Sequence, residues 1–153
     1  MILESKSKLY MLNIYNPNTI VTKAEITHYT EQLGNKFMMI GDMNAHTPLL
    51  SSNCPRSNPT GRMLNDLLSS TNICLSNPID FFTHLDSSTG QQSCLDLCLV
   101  SSNIASSITL SQLRDVGSDH LPILITFDSA PASIVVQTRK KWKTTQRNLK
   151  VFF

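Results

Sequence analysis

Residues 36–46 read Lys-Phe-Met-Met-Ile-Gly-Asp-Met-Asn-Ala-His, an apolar run that stops at Gly41-Asp42 and turns polar at once. A short continuous apolar run closed by a turn signal reads as a buried strand. Upstream, Thr22 to Leu33 has the pattern of an amphipathic helix: Thr22 as N-cap, Glu25 three residues on, Ile26, Tyr29 and Leu33 at helical spacing, and Gly34 as the stop. Before it, Leu9 to Tyr15 is apolar and is bounded by Asn16-Pro17-Asn18, a strand ending in a turn with Tyr15 at its C-terminal end. Strand, helix and strand in succession argue for a layered α/β domain.

Downstream, residues 42 to 60 are rich in Asn, Ser, Pro and Thr and read as a long loop, a length that is usually functional or disordered in a compact domain. Gly61 to Ser70 reads as a helix with Met63, Leu64, Leu67 and Leu68 as its buried stripe. Strands are expected at Ile73 to Leu75, Phe81 to His84, Cys94 to Val100 and Leu121 to Phe127, the last with Pro122 near its start, where a missing amide donor is tolerated. After Asp128 the pattern fades. The expected division is therefore a domain over 1–129 and a linker and basic tail over 130–153, with no internal repeats.

At 153 residues and 41% hydrophobic content the chain can build one core. No apolar run approaches the roughly 20 residues of a membrane span, and the start has no secretory pattern, so an intracellular protein is expected. Cys54, Cys74, Cys94 and Cys98 form no CxxC pair and read as free thiols. The net charge of +2 conceals a division: residues 1–138 carry 7 Lys/Arg against 11 Asp/Glu, a net of −4, whereas 139–153 carry 6 Lys/Arg and no acid. Such a basic end either binds phosphate backbones or is a solvated linker.

Three polar groups stand where an apolar pattern would not put them. Asp42 and Asn44, two residues apart, point the same way in extended backbone. Asp96 interrupts Cys94-Leu95-Asp96-Leu97-Cys98-Leu99-Val100, on the face of Cys94, Cys98 and Val100, where a lone carboxylate needs a partner or a metal. Asp119-His120 precedes the last strand and pairs an acid with the side chain that titrates nearest neutrality. Each has a bland reading: Asp42 and Asn44 as turn formers, Asp96 as a loop cap or an arginine partner, Asp119 and His120 as a simple turn. Together they collect at strand ends, where α/β folds gather catalytic groups.

In order and content, Ile14-Tyr15, Gly41-Asp42-Met43-Asn44-Ala45-His46, Ser93-Cys94-Leu95-Asp96-Leu97 and Ser118-Asp119-His120-Leu121-Pro122-Ile123 resemble the later motifs of the endonuclease/exonuclease/phosphatase superfamily, over roughly residues 9 to 127. The loop with Asn53, Asn58 and Gly61-Arg62 ahead of a leucine-rich helix is similar to the Jockey-like non-LTR retrotransposon branch, and Arg139-Lys140-Lys141-Trp142-Lys143 resembles the linker that leads there to reverse transcriptase. The resemblance implies a partial four-layer α/β sandwich, two mainly antiparallel sheets flanked by helices, with the first strands missing. It implies a Mg²⁺- or Mn²⁺-dependent phosphodiesterase that nicks target DNA, with the reverse transcriptase domain as a possible partner, no membrane, and a nuclear location. Under it Asp42 orients or deprotonates the attacking water, Asn44 holds that water and a phosphate oxygen, and Asp119 contributes to the metal site. His120 contacts the scissile phosphate, Asp96 fixes its imidazole, and Tyr15 sits near the phosphate or leaving group. Weaker candidates for substrate contact are His46 and His84, Ser93, and Arg62, which could instead pair with Asp66 at i, i+4.

The resembling family also begins with strand-end Asn and metal-binding Glu motifs ahead of the Tyr15 position, and Glu4-Ser5-Lys6-Ser7 does not match them. The expectation is that the architecture is a phosphodiesterase, that a sheet edge is left unpaired, and that this polypeptide alone is inactive. A non-catalytic remnant that binds nucleic acid through its basic tail is the alternative, and a phospholipid head group or sugar phosphate as substrate is a third possibility.

Overall fold

Leu12 and Ile14 alternate with exposed neighbours in β1 (Tyr10–Tyr15), the period-two signature of a strand with one face in a core. The computed structural model describes residues 8–17 and 21–128 and the backbone of 150–152. Thr22 caps α1 (Lys23–Leu33) as the sequence indicates, in a reciprocal capping box with Glu25. Next come β2 (Phe37–Asp42), α2 (Pro59–Ser70), β3 (Ile73–Leu75), β4 (His84–Leu85), β5 (Gln92–Ser93) and β6 (Asp96–Ser101), then a 3-10 segment over Ser102–Ser107, β7 (Ile108–Gln112), β8 (Ile123–Phe127) and β9 (Lys150–Phe152).

The main sheet runs β3-β6-β2-β1-β9, with β1 and β2 parallel and every other pair antiparallel. Its central strands are apolar on both faces because both faces are covered. Phe37 and Met39 of β2 and Leu97 and Leu99 of β6 join Ile26, Leu64 and Leu67 of the helices in one cluster. Met38, Cys98 and Val100 face the other way, onto Ile104 and the partly buried Ile108, Leu110, Ile125 and Phe127 of the β7–β8 ribbon. The result is helix, sheet and ribbon in layers, a mixed α/β arrangement with several sheets.

Several expectations need correction. No strand spans Phe81 to Thr83; the strand residues are His84–Leu85, paired with Gln92–Ser93, because Asp86 turns the chain through Ser88 and Thr89 into a short hairpin. The strand over Cys94 to Val100 begins only at Asp96, and Cys94 falls in the helix-side cluster, so it does not share the face of Asp96. The last strand begins at Ile123 and is half-exposed, since it belongs to a two-stranded ribbon with one face to solvent. The outer edge of β1 is not bare: β9 lies antiparallel along Asn13 to Tyr15. Most of the expected 130–153 tail lies outside the described residues. No helix among the described residues is long and apolar enough to cross a membrane.

Candidate active site

Strand alternation sends Met38, Ile40 and Asp42 to one face of β2 and Asp96, Cys98 and Val100 to one face of β6. The register makes Asp42 and Asp96 direct cross-strand partners, so two carboxylates sit side by side at the end of the sheet, on the ribbon side. Two neighbouring carboxylates repel, and each must be held by donors.

Asp42 is held by Asn44. Its Oδ1 accepts the Asn44 amide at 3.0 Å and its Oδ2 accepts Asn44 Nδ2 at 3.2 Å, while that same amide group donates to the Asn16 carbonyl at 2.7 Å. Asn44 adopts a left-handed backbone, φ 49°, which asparagine tolerates better than most residues. Gly41 makes the approach possible: a Cβ there would lie 1.9 Å from the Ile14 carbonyl oxygen, at φ 137°. Burial raises the Asp42 carboxyl above its ordinary 3.8 and Asp96 adds to that, against the lowering effect of the Asn44 amide, His120 and His84. The carboxyl is thereby moved toward a better proton acceptor.

Asp96 receives His120, whose Nδ1 lies 2.7 Å from Asp96 Oδ2. Burial disfavours the imidazolium of His120, but the hydrogen bond and charge of Asp96, with Asp42 and Asp119, outweigh it, and the imidazole titrates above 6.5. The ring is brought in by backbone pairing: segment 119–121 lies against 83–85, with Leu85 N donating to Asp119 O at 2.8 Å, Leu121 N to Thr83 O at 2.7 Å, and an isolated bridge between His84 and His120. The two imidazoles meet edge to face, 4.9 Å apart. His84 Nδ1 lies 3.2 Å from Ser93 Oγ, and His84 Nε2 lies 3.9 Å from Asp119 Oδ2.

The structure thus brings together Asp42, Asn44, Asp96, Asp119 and His120, with His84 and Ser93 alongside. Tyr15 stands exposed at the end of β1, next to the Asn16 amide that donates to the Asp42 carbonyl. His46 and Ser93 line a shallow cleft with Thr47, Asn53 and Gln92. Arg62 is not paired with Asp66: its guanidinium donates to the Ser57 carbonyl at 2.8 Å, and Asp66 accepts Lys23 instead. All four cysteines are free thiols; burial pushes Cys94 up to about 12 and Cys98 to about 11, which leaves both inert.

Sequence reasoning missed the residues that hold these groups in place. Thr83, fully buried, accepts the Leu95 and Asp96 amides through Oγ1 at 3.0 and 2.9 Å. Asn77 donates to the Asp96 carbonyl and accepts the Cys98 amide. Asn58, noted only as part of the loop, caps α2 at the Gly61 amide, accepts His46 N and donates to the Asn44 carbonyl. An asparagine in a loop is a signal only for a turn, and Thr83, within the expected strand Phe81 to His84, carries no sign of what its hydroxyl holds.

The donors suit a hard cation. Asp119 offers an exposed carboxylate beside the Asp42–Asn44 and Asp96–His120 pairs, and carboxylate oxygen is the donor type that hard divalent cations prefer. A family model described as endonuclease–reverse transcriptase matches residues 9–124, more than half of the chain. Among solved structures, the endonuclease domain of TRAS1, a telomere-specific non-LTR retrotransposon, is similar with a TM-score of 0.62 and 20% sequence identity over 78% of this chain and 56% of that one. The chain therefore spans little more than half the length of that domain, and at this identity the likeness is one of fold. A comparison with curated proteins finds no match.

Proposed function

Because this chain belongs to the endonuclease–reverse transcriptase family, we propose that its site hydrolyses phosphodiester bonds of DNA as the nicking component of a non-LTR retrotransposon protein. The observation that carries the reading is the Asp96–His120 pair at 2.7 Å set beside the Asp42–Asn44 pair on one sheet end. In-line attack on a phosphodiester asks for a positioned water and compensation of the charge that grows on phosphorus oxygens. Asp42, with its raised pKa, accepts the proton of the attacking water, and Asn44 keeps its carboxylate aligned. His120, whose imidazole Asp96 shifts toward the protonated form, would contact the phosphate and stabilise its charge. Asp96 acts as an orienting group behind the imidazole, a device that fixes both tautomer and direction. Tyr15 would sit near the phosphate or the leaving group, and His46, Ser93 and Arg62 are candidate contacts to the DNA backbone.

A divalent cation, Mg²⁺ or Mn²⁺, supplies further charge neutralisation on the phosphate, and Asp119 is the residue here that would help to hold it. Slow nicking at best by the 153 residues alone is part of the same proposal. The domain division at about residue 129, the reverse transcriptase domain as partner and action in the nucleus belong to the same proposal. The test is conversion of supercoiled plasmid to open circles in Mg²⁺ or Mn²⁺. Wild type is expected to exceed Asp42→Ala, and no difference between the two counts against catalysis by this site.

A further inference from the structure

We propose that His84, Asp119 and His120 form a binding site for a transition-metal cation of the Zn²⁺ class, which would take the two groups that the hydrolytic site shares with it. One donor atom from each of the three residues lies within 4.8 Å of the other two. Two imidazoles and one carboxylate are borderline-soft ligands, and they suit Zn²⁺, Co²⁺ or Ni²⁺ far better than Mg²⁺, which demands six oxygens. A three-residue set of this composition leaves a fourth position for water, as in open zinc sites.

The arrangement around the rings is what a metal-binding histidine needs. A ligating imidazole usually has its second nitrogen held by a carboxylate, carbonyl or hydroxyl, which fixes the tautomer and aims the lone pair. Both rings meet that condition: His120 Nδ1 is held by Asp96 Oδ2 at 2.7 Å and His84 Nδ1 by Ser93 Oγ at 3.2 Å, which leaves Nε2 of each ring as the free donor. His84 Nε2 already lies 3.9 Å from Asp119 Oδ2. Ligands of a four-coordinate zinc stand about 3.4 Å apart, given bonds near 2.1 Å, so the 3.9 Å between His84 Nε2 and Asp119 Oδ2 closes with a small rotation of the exposed Asp119 side chain. The backbone that carries both rings is held by pairing of 83–85 with 119–121. Asp42 and Asp96 on the sheet end behind them add negative charge that favours a dication.

His84 plays no part in the hydrolysis proposed above, so this site goes beyond that reading. Only its consequence depends on it: a seated zinc occupies His120 and Asp119, and Zn²⁺ would then inhibit rather than support Mg²⁺-dependent cleavage.

The metal-free chain is titrated with Zn²⁺ in competition with a chromophoric chelator, and with Co²⁺ followed by its visible d–d bands. One Zn²⁺ per chain is expected, unaffected by an equal concentration of Mg²⁺. His84→Ala and Asp119→Asn should each weaken it by more than about tenfold, and Ser93→Ala, acting through His84, by about tenfold. Glu31→Gln, on the exposed side of α1, should change nothing. Should His84→Ala fail to fold, Asp119→Asn at an exposed position answers the same question. Unchanged affinity in the ligand variants, loss of binding on Cys54→Ser, or displacement by equimolar Mg²⁺ overturns the site. The titration measures binding without DNA, so loss of this site leaves the nuclease reading standing, and a failed plasmid test leaves this site standing.

Discussion

His120 gains a charged partner on folding, and the sign of its titration follows. Its folded pKa lies above 6.5, so the protonated form contributes stability that is fully present below about 6.5 and is lost as pH rises through the higher folded value. Denaturant unfolding of the metal-free protein should therefore show stability declining over that interval. Asp96→Asn, which removes the carboxylate that does most to raise the imidazole, should flatten the decline, and a slope that persists undiminished in the variant would mean that another group is responsible. Asp42 shows the converse relation: burial raises its carboxyl, so its ionised form weakens the fold at neutral pH, a pattern common where a site is built for reaction. The catalytic candidates were legible in the sequence because Asp42, Asp96 and His120 are charged or titratable groups set against apolar strands. Their mutual distances were not, since the pairing of Asp96 with His120 bridges 24 residues.

At the scale of elements, the strand, helix and strand from Tyr10 to Asp42 could be read locally because each segment carries its own period and its own cap or stop. The hairpin β4–β5, the 3-10 segment and β7 could not. Two-residue strands hold no period, and residues 102–112 take their order from packing on Met38, Cys98 and Val100 across the sheet. Thr83 ties the start of the β4–β5 hairpin to the site through the Leu95 and Asp96 amides. Thr83→Ala leaves the Leu95 and Asp96 amides without their acceptor in a buried place, at a cost of about 2–4 kcal/mol. Thr83→Ser, which keeps the hydroxyl, should recover most of that in thermal unfolding, and equal losses in both variants would point to packing of the methyl group instead. Gly41→Ala is expected to be worse than an ordinary core change, since its Cβ meets the Ile14 carbonyl oxygen at 1.9 Å. Destabilisation of more than about 3 kcal/mol, or failure to fold, is the expected result, and a stable Gly41→Ala chain would show that β1 and β2 can part.

For the molecule as a whole, the charge division read from the sequence has a measurable consequence. The body is acidic, whereas Arg139, Lys140, Lys141, Lys143 and Arg147 supply five cations in one stretch. Replacing these five by Gln should lower the slope of log K against log salt for non-specific duplex DNA by roughly 3–4. An unchanged slope would place the phosphate contacts on the domain instead. Whether the sheet end is a hydrolytic centre is decided most directly by the Mn²⁺-dependent hydrolysis of an activated aryl phosphodiester, whose good leaving group lowers the demand on the catalytic groups. The account predicts a slow, EDTA-sensitive rate in the wild-type chain that falls by about 10²-fold or more in both His120→Ala and Asp42→Ala. Folded variants that match the wild-type rate would contradict it.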